Sequence, residues 1–186
     1  TKLATDPVFE VRAVGSFEQL PGCASGTEEA MTAERVARLC HGECYHPSDQ
    51  RRLITRIEVV RILPQSQPGE SVEGLIEDPW RVKACEPDPA GCTYHFTDPE
   101  FLRQGRDALY YVRAIEAPSP AVNAGGLRCE KDNEGNCVNV KPCIDVPDSD
   151  DCLAETEERA WSSPIFLEQG AAQTELEASG FDAGAS

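Results

Sequence analysis

The sequence predicts a mainly β domain, an antiparallel β-sandwich of the immunoglobulin-like class carrying loop insertions and one short helix and stapled by disulfides. Short runs of β-forming residues recur at regular spacing between Gly-, Pro- and Asp-rich turns, and only one segment carries a helical period. Nine cysteines, at 23, 40, 44, 85, 92, 129, 137, 143 and 152, sit in the turn-rich connections rather than in the apolar runs. That usage points to disulfides in an oxidising compartment, periplasmic or extracellular.

Taken in order, residues 8–17 alternate, with Phe9, Val11, Ala13 and Phe17 on one face and Glu10, Arg12 and Ser16 on the other, which predicts a half-buried strand. Pro21-Gly22 ends it. Ser25 with Glu28 offers a capping box for a short helix through Met31, Val36, Leu39 and Cys40. Residues 41–47, with Pro47, read as a loop. Residues 51–63 predict a long strand: Leu53, Ile57 and Val59 share one face, Val60 and Ile62 the other, so a bulge near Val59 or burial on both sides is required. Short strands are expected over 71–76, 80–84 and 93–96, with a loop from Cys85 to Cys92 between the last two.

Asp107-Ala-Leu-Tyr-Tyr-Val-Arg-Ala-Ile-Glu-Ala-Pro-Ser-Pro120 is the most strongly patterned stretch, and it predicts the central strand. Its apolar side chains fall on both alternation faces, and Pro118 and Pro120 remove ladder donors at its end. Residues 127–140 predict a hairpin with its tip at 132–136 and its arms joined by Cys129 and Cys137. A long acidic loop follows over 145–158, then a last strand over 160–167 in which Pro164 suits an edge or a strand start. The domain thus runs over 1–167. The tail, 168–186, is an Ala/Gly/Ser-rich acidic segment expected to dock on the domain or on a partner.

Among the cysteines, the short-range pairings are Cys40 with Cys44, Cys85 with Cys92, and two bridges among Cys129, Cys137, Cys143 and Cys152. The odd count leaves Cys23 as the free thiol or the link to another chain. The formal charge of −16 is uneven, since the 58 residues from Cys129 onward hold 14 acidic and 3 basic side chains, a net of −11. Such a field repels phosphate backbones and anionic lipid, which argues against nucleic acid and favours cations or a basic protein partner. Mean hydropathy of −0.42 and no long apolar run argue against a membrane span. With Thr1 first and no signal-peptide pattern after it, the chain is expected to be processed or a fragment.

Two clusters have the composition of metal sites. Asp132, Glu134 and Asn136, with Asp148, Asp150 and Asp151, supply oxygen ligands suited to a structural calcium, although Asn133 and Gly135 are also what a tight turn requires. His41, Glu43 and His46 beside Cys40 and Cys44 suit either a zinc site or a disulfide-closed surface loop. No G-x-S-x-G elbow or phosphate-cradling glycine loop occurs, and Ser162-Ser163 between Trp161 and Pro164 reads as edge hydrogen bonding. No catalytic residue and no other cofactor follows from the pattern.

Two stretches also carry a family resemblance. Arg56-Ile-Glu-Val-Val-Arg-Ile-Leu-Pro-Gln65 with Glu77-Asp-Pro-Trp80, and Asp107 to Asn123 followed by Glu158-Arg-Ala-Trp-Ser-Ser-Pro-Ile-Phe166, resemble the C-terminal region of secreted bacterial proteins related to the PHP (polymerase and histidinol phosphatase) metallohydrolases. The resemblance implies a β-rich module beside a distorted β/α barrel that holds the metal cluster and the hydrolase chemistry. This sequence contains no His-x-His motif and no barrel, so no catalytic residue of that family transfers to any position here.

Overall fold

The computed structural model describes residues 2–40, 44–122, 128–141 and 152–170. The fold is mainly β. Its centre is a six-stranded sheet in the order β1 (Lys2–Leu3), β14 (Ile165–Gln169), β8 (Ala108–Glu116), β5 (Ile54–Ile62) and β6 (Ile76–Ala84), with β13 (Arg159–Trp161) also paired to β8. All pairings are antiparallel except β1 with β14. The Asp107–Pro120 stretch thus lies inside the sheet as β8, flanked by β5 on one side and by β13 and β14 on the other.

The other strands form four two-stranded ladders. β2 (Val8–Ala13) pairs with β7 (Cys92–Thr97), β3 (Phe17–Pro21) with β4 (Tyr45–Arg51), β9 (Ser119–Val122) with β12 (Leu153–Thr156), and β10 (Arg128–Lys131) with β11 (Cys137–Lys141). The β2–β7 ladder lays its apolar side chains on the sheet: Phe9 packs with Tyr110, and Val11, Ala13 and Tyr94 gather with Val112, Ala114 and Ile57. Phe9 stacks on Phe96 with ring centres 4.7 Å apart.

Several expectations are corrected. The strand over 8–17 is two strands, broken at Val14–Ser16, and the loop at 41–47 gives way to β4, in which Pro47 faces Gln19. Residues 71–75 form turns, not a strand, and β6 begins at Ile76. The helix is α2 (Ala33–Cys40), with single turns at α1 (Thr27–Ala30) and α3 (Phe101–Gln104). Ser25 is not its cap: Gly26 opens α1, and the Thr32 hydroxyl accepts from the Arg35 N–H at 3.3 Å ahead of α2. Pro120 does not end a run but lies in β9, opposite Glu155. The last strand is split into β13 and β14. Between them the Ser162 hydroxyl accepts from the Val112 N–H at 3.1 Å while the Ser162 N–H donates to the Val112 carbonyl at 3.0 Å, so a side chain bridges the gap in the ladder. The strand expected over 51–63 is shorter, since Arg51 ends β4 and β5 begins at Ile54; within β5 the register against β6 shifts between Val59 and Arg61, and Val59 and Val60 are both fully buried.

Three disulfides join Cys23 to Cys44, Cys85 to Cys92, and Cys129 to Cys137. Cys44 therefore pairs with Cys23 rather than with Cys40, and Cys23 is not free. The pairing of β3 with β4 brings Pro21 opposite Tyr45, which puts the two sulfurs within reach just beyond the ladder. Cys152 is also disulfide-bonded. Cys143 and residues 171–186 of the tail lie outside the described residues, whereas Glu168 and Gln169 extend β14 and pair with β1.

A polar network sits in the core. Asp98, just after β7, is fully buried. Its Oδ2 accepts from the Tyr110 hydroxyl at 2.6 Å and from Arg61 Nη1 at 2.7 Å, and its Oδ1 accepts from the Glu100 N–H at 3.0 Å. Arg61 also donates through Nε to Glu77 at 2.5 Å, and its guanidinium lies 4.5 Å from the centre of the Trp80 ring. Burial alone would raise the Asp98 pKa, but the donors from Tyr110, Arg61 and Glu100 outweigh it and hold the carboxyl below its ordinary value. Burial and the Asp98 charge both push the Tyr110 phenol up.

Asp98→Ala removes one of the two carboxylates paired with Arg61 and the acceptor of the Tyr110 hydroxyl, and is expected to lower the unfolding free energy by about 3–5 kcal/mol in urea titrations, with Tyr110→Phe costing about 1–3 kcal/mol. Because the folded Asp98 pKa is depressed, its contribution is complete above the unfolded carboxyl value of about 3.9 and is lost as pH falls through the folded value. The acid-induced loss of stability between those values is expected to shrink in Asp98→Asn.

Candidate functional site

The polar side chains that converge on a cavity do so where the corner between β2 and β3 meets the end of β8. Ser16 lies at that corner. It arrives there because Gly15 packs against the chain before β5: a Cβ on Gly15 would sit 1.9 Å from the Arg52 carbonyl oxygen, so only glycine permits the approach. The Arg52 N–H donates to the Ser16 carbonyl at 2.8 Å, and Arg51 Nη1 donates to the Gly15 carbonyl at 2.8 Å.

Glu116, the last residue of β8, meets this corner. Its Oε1 accepts from the Ser16 N–H at 2.6 Å, its Oε2 accepts from the Ser16 hydroxyl at 3.0 Å, and Arg52 Nε lies 3.9 Å from the same oxygen. The carboxylate is thereby fixed although the residue is only 8% exposed. Its own N–H donates to the Glu158 carbonyl at 3.0 Å, which draws the Glu158–Arg159 segment alongside. Together these elements border a cleft of roughly 430 Å³ with Ile54, Phe17 and Pro120 in its walls, Ser119 and Glu116 among its polar lining, and Glu158 and Arg159 at its margin. Arg51 stacks on the Phe17 ring at 4.0 Å.

The second feature is the face of the central sheet opposite the β2–β7 ladder. Directly opposed residues share a face, so Trp161, Arg113, Glu58 and Val82 form one row across β13, β8, β5 and β6. Leu109, Ile62 and Ile76 belong to a second row. Trp161 is 61% exposed, Ile76 55% and Val82 53%, whereas Val60 and Ile115 on the same face are buried. Charges alternate across it. Arg56 bonds Glu157 through both terminal nitrogens, at 2.7 and 2.8 Å, and Glu58 through Nε at 2.8 Å; Arg113 then bridges Glu58 and Asp78. Arg56 holds the Glu157 carboxyl below its ordinary range. This chain of ion pairs ties β5, β6 and β8 to the segment before β13.

The residues singled out from the sequence are dispersed. Asp132 sits at the tip of the β10–β11 hairpin, where its Oδ1 accepts from the Glu134 and Asn136 N–H groups, each at 2.9 Å, and its Oδ2 accepts from the Asn136 side-chain amide at 3.2 Å. Turn chemistry thus already engages both carboxylate oxygens, and these donors, the Asn136 N–H first, hold its pKa down. Asp148, Asp150 and Asp151 lie outside the described residues, as do His41 and Glu43. His46 is on β4 with Nδ1 2.9 Å from the Gly22 carbonyl, and Cys44, its sulfur committed to Cys23, supplies no thiolate. Among the described residues no group of three or more His, Cys, Asp or Glu side chains is placed to hold a metal ion. Sequence reasoning missed Glu116 and Ser16, which are 100 residues apart. The signal for Glu116 was its position as a carboxylate closing the most apolar strand.

Comparison of the chain with protein-family models, curated proteins and solved structures gives no match.

Glu116→Ala leaves the Ser16 donors unpaired and is expected to destabilise the domain by about 1–3 kcal/mol in chemical denaturation, with Glu116→Gln costing less. Gly15→Ala, which forces backbone apart, is expected to lower the melting temperature more than Glu116→Gln does. At the hairpin tip, Asp132→Ala is expected to speed amide exchange at Glu134 and Asn136 at neutral pH; in the unsubstituted protein the protection of these amides relative to their intrinsic exchange rates is expected to fall as pH drops through the depressed Asp132 value.

Proposed function

We propose that this chain is a non-catalytic module, an immunoglobulin-like β-sandwich in which the β2–β7 ladder and the central sheet are the two layers, and that it supports the catalytic barrel of a secreted PHP-like metal-dependent hydrolase in the periplasm or outside the cell. The observation that carries the reading is the outer face of the central sheet, where Trp161, Ile76 and Val82 stand exposed around a fixed lattice of ion pairs. Exposed aromatic and aliphatic side chains framed by ordered charges are the composition of an interface rather than of a solvated surface.

The segments that carry the family resemblance support the same reading. Within them, residues 56–62, 77–80, 108–116, 159–161 and 165–166 fall on β5, β6, β8, β13 and β14, which are strands of one sheet, while 119–122 form β9 in a separate ladder. The common element is therefore the scaffold that would face a neighbouring domain, and the disulfides fit an oxidising compartment.

The test begins with the native protein. Its intact mass is expected to exceed 20.3 kDa substantially, with metal-binding histidines in the additional sequence. In that full-length protein, Trp161→Ser with Val82→Ser is expected to speed proteolytic separation of the module from the barrel while leaving the melting temperature of the isolated 186-residue chain nearly unchanged. A native chain of 20.3 kDa that copurifies with no larger partner would overturn the reading.

A further inference from the structure

We propose that the cleft at the end of β8 is a binding site for a neutral polyhydroxylated ring, of the hexose class. This inference does not depend on what covers the outer sheet face, since it concerns a different part of the molecule.

Three properties of the cleft point to that chemistry. The first is a pair of buried polar groups in its lining. Glu116 is 8% exposed and is held in place by Ser16, yet a carboxylate has about four lone-pair directions and Ser16 uses only two. Ser119, 6% exposed, lines the same cavity and adds a hydroxyl that can both donate and accept.

The second property is charge balance. Two carboxylates, Glu116 and Glu158, and two guanidiniums, Arg52 and Arg159, border the cavity. An anion such as phosphate would meet both carboxylates, and a cationic ligand both guanidiniums, so the ligand favoured on electrostatic grounds carries no net charge. The same set presents donors and acceptors side by side. A ring hydroxyl, which both donates and accepts, matches such a lining better than a group that does only one.

The third is the wall. Ile54 and Pro120 give the cavity apolar surface beside its polar groups, and Phe17 adds an aromatic ring fixed by Arg51. The C–H faces of a sugar ring bury against such surface while its rim hydroxyls reach the polar groups. A volume of roughly 430 Å³ falls within the range of small-molecule sites, about 300–1,000 Å³.

The experiment is a backbone amide NMR titration of the 186-residue chain with D-glucose, D-galactose, D-mannose and N-acetyl-D-glucosamine, and separately with sodium phosphate and lysine. At least one sugar is expected to give saturable shifts at Ser16, Arg52 and Ser119 in the millimolar range. Ser119→Ala and Arg159→Ala, neither of which removes a hydrogen bond described within the fold, are expected to weaken that binding by about tenfold or more with unchanged melting temperatures. The proposal is overturned if no sugar gives saturable shifts at these amides, if both variants bind as the parent does, or if phosphate or lysine saturates the same amides instead.

Discussion

A guanidinium and a carboxylate buried together near the centre of the molecule set the terms for everything around them. Asp98 is inaccessible to solvent and Arg61 nearly so, and either charge alone would be intolerable there. Each is made tolerable by a partner from a different element: Arg61 from β5, Tyr110 from β8, Glu77 from β6, and Asp98 from the end of β7. A polar group with this many obligations has few acceptable positions, whereas apolar contacts between sheet and ladder would permit many. The network thus specifies where the β2–β7 ladder lies, and the packing of Phe9 and Phe96 around Tyr110 follows from it.

The cleft depends on that placement at one remove. β2 lies along β7, and the chain leaves β2 through a corner that only Gly15 can make. Ser16 then reaches Glu116, and β3 turns away to pair with β4. The outer face of the sheet is organised differently. Its ion pairs are partly open to solvent and individually weak, but they form a continuous chain from Glu157 to Asp78, so its long side chains are held in one arrangement. An ordered surface loses less side-chain freedom when it is covered.

How much of this could be read in the sequence follows from what each element depends on. β5, β7 and β8 are written in runs of β-branched and aromatic residues, and the β10–β11 hairpin in the Asp-Asn-Glu-Gly-Asn tip, so local pattern suffices for them. β4 is Tyr-His-Pro-Ser-Asp-Gln-Arg, with no apolar alternation and a proline, and it is a strand only because β3 and the Cys23–Cys44 bond hold it. That bond was itself illegible, since its cysteines are 21 positions apart while Cys40 lies nearer to Cys44. The cleft was hidden for the same reason on a larger scale. Among 33 acidic residues, nothing local marks Glu116 as the one that meets a serine a hundred positions earlier. The capping box at Ser25 shows the opposite failure, a sound local motif that the backbone at Gly26 does not use.

β7 is fastened to the sheet at both of its ends by unlike chemistry. At its start Cys92 is bonded to Cys85 at the end of β6, and just past its last residue Asp98 enters the buried network. A thiol reductant acts on the first fastening and acid on the second. The outer layer can therefore be released from either end, so two environments that both weaken this protein would expose different halves of the same interior. A protease sampling partly opened molecules would cut first near Cys92 under reducing conditions and first near Asp98 in acid, leaving a record of which environment the chain had passed through.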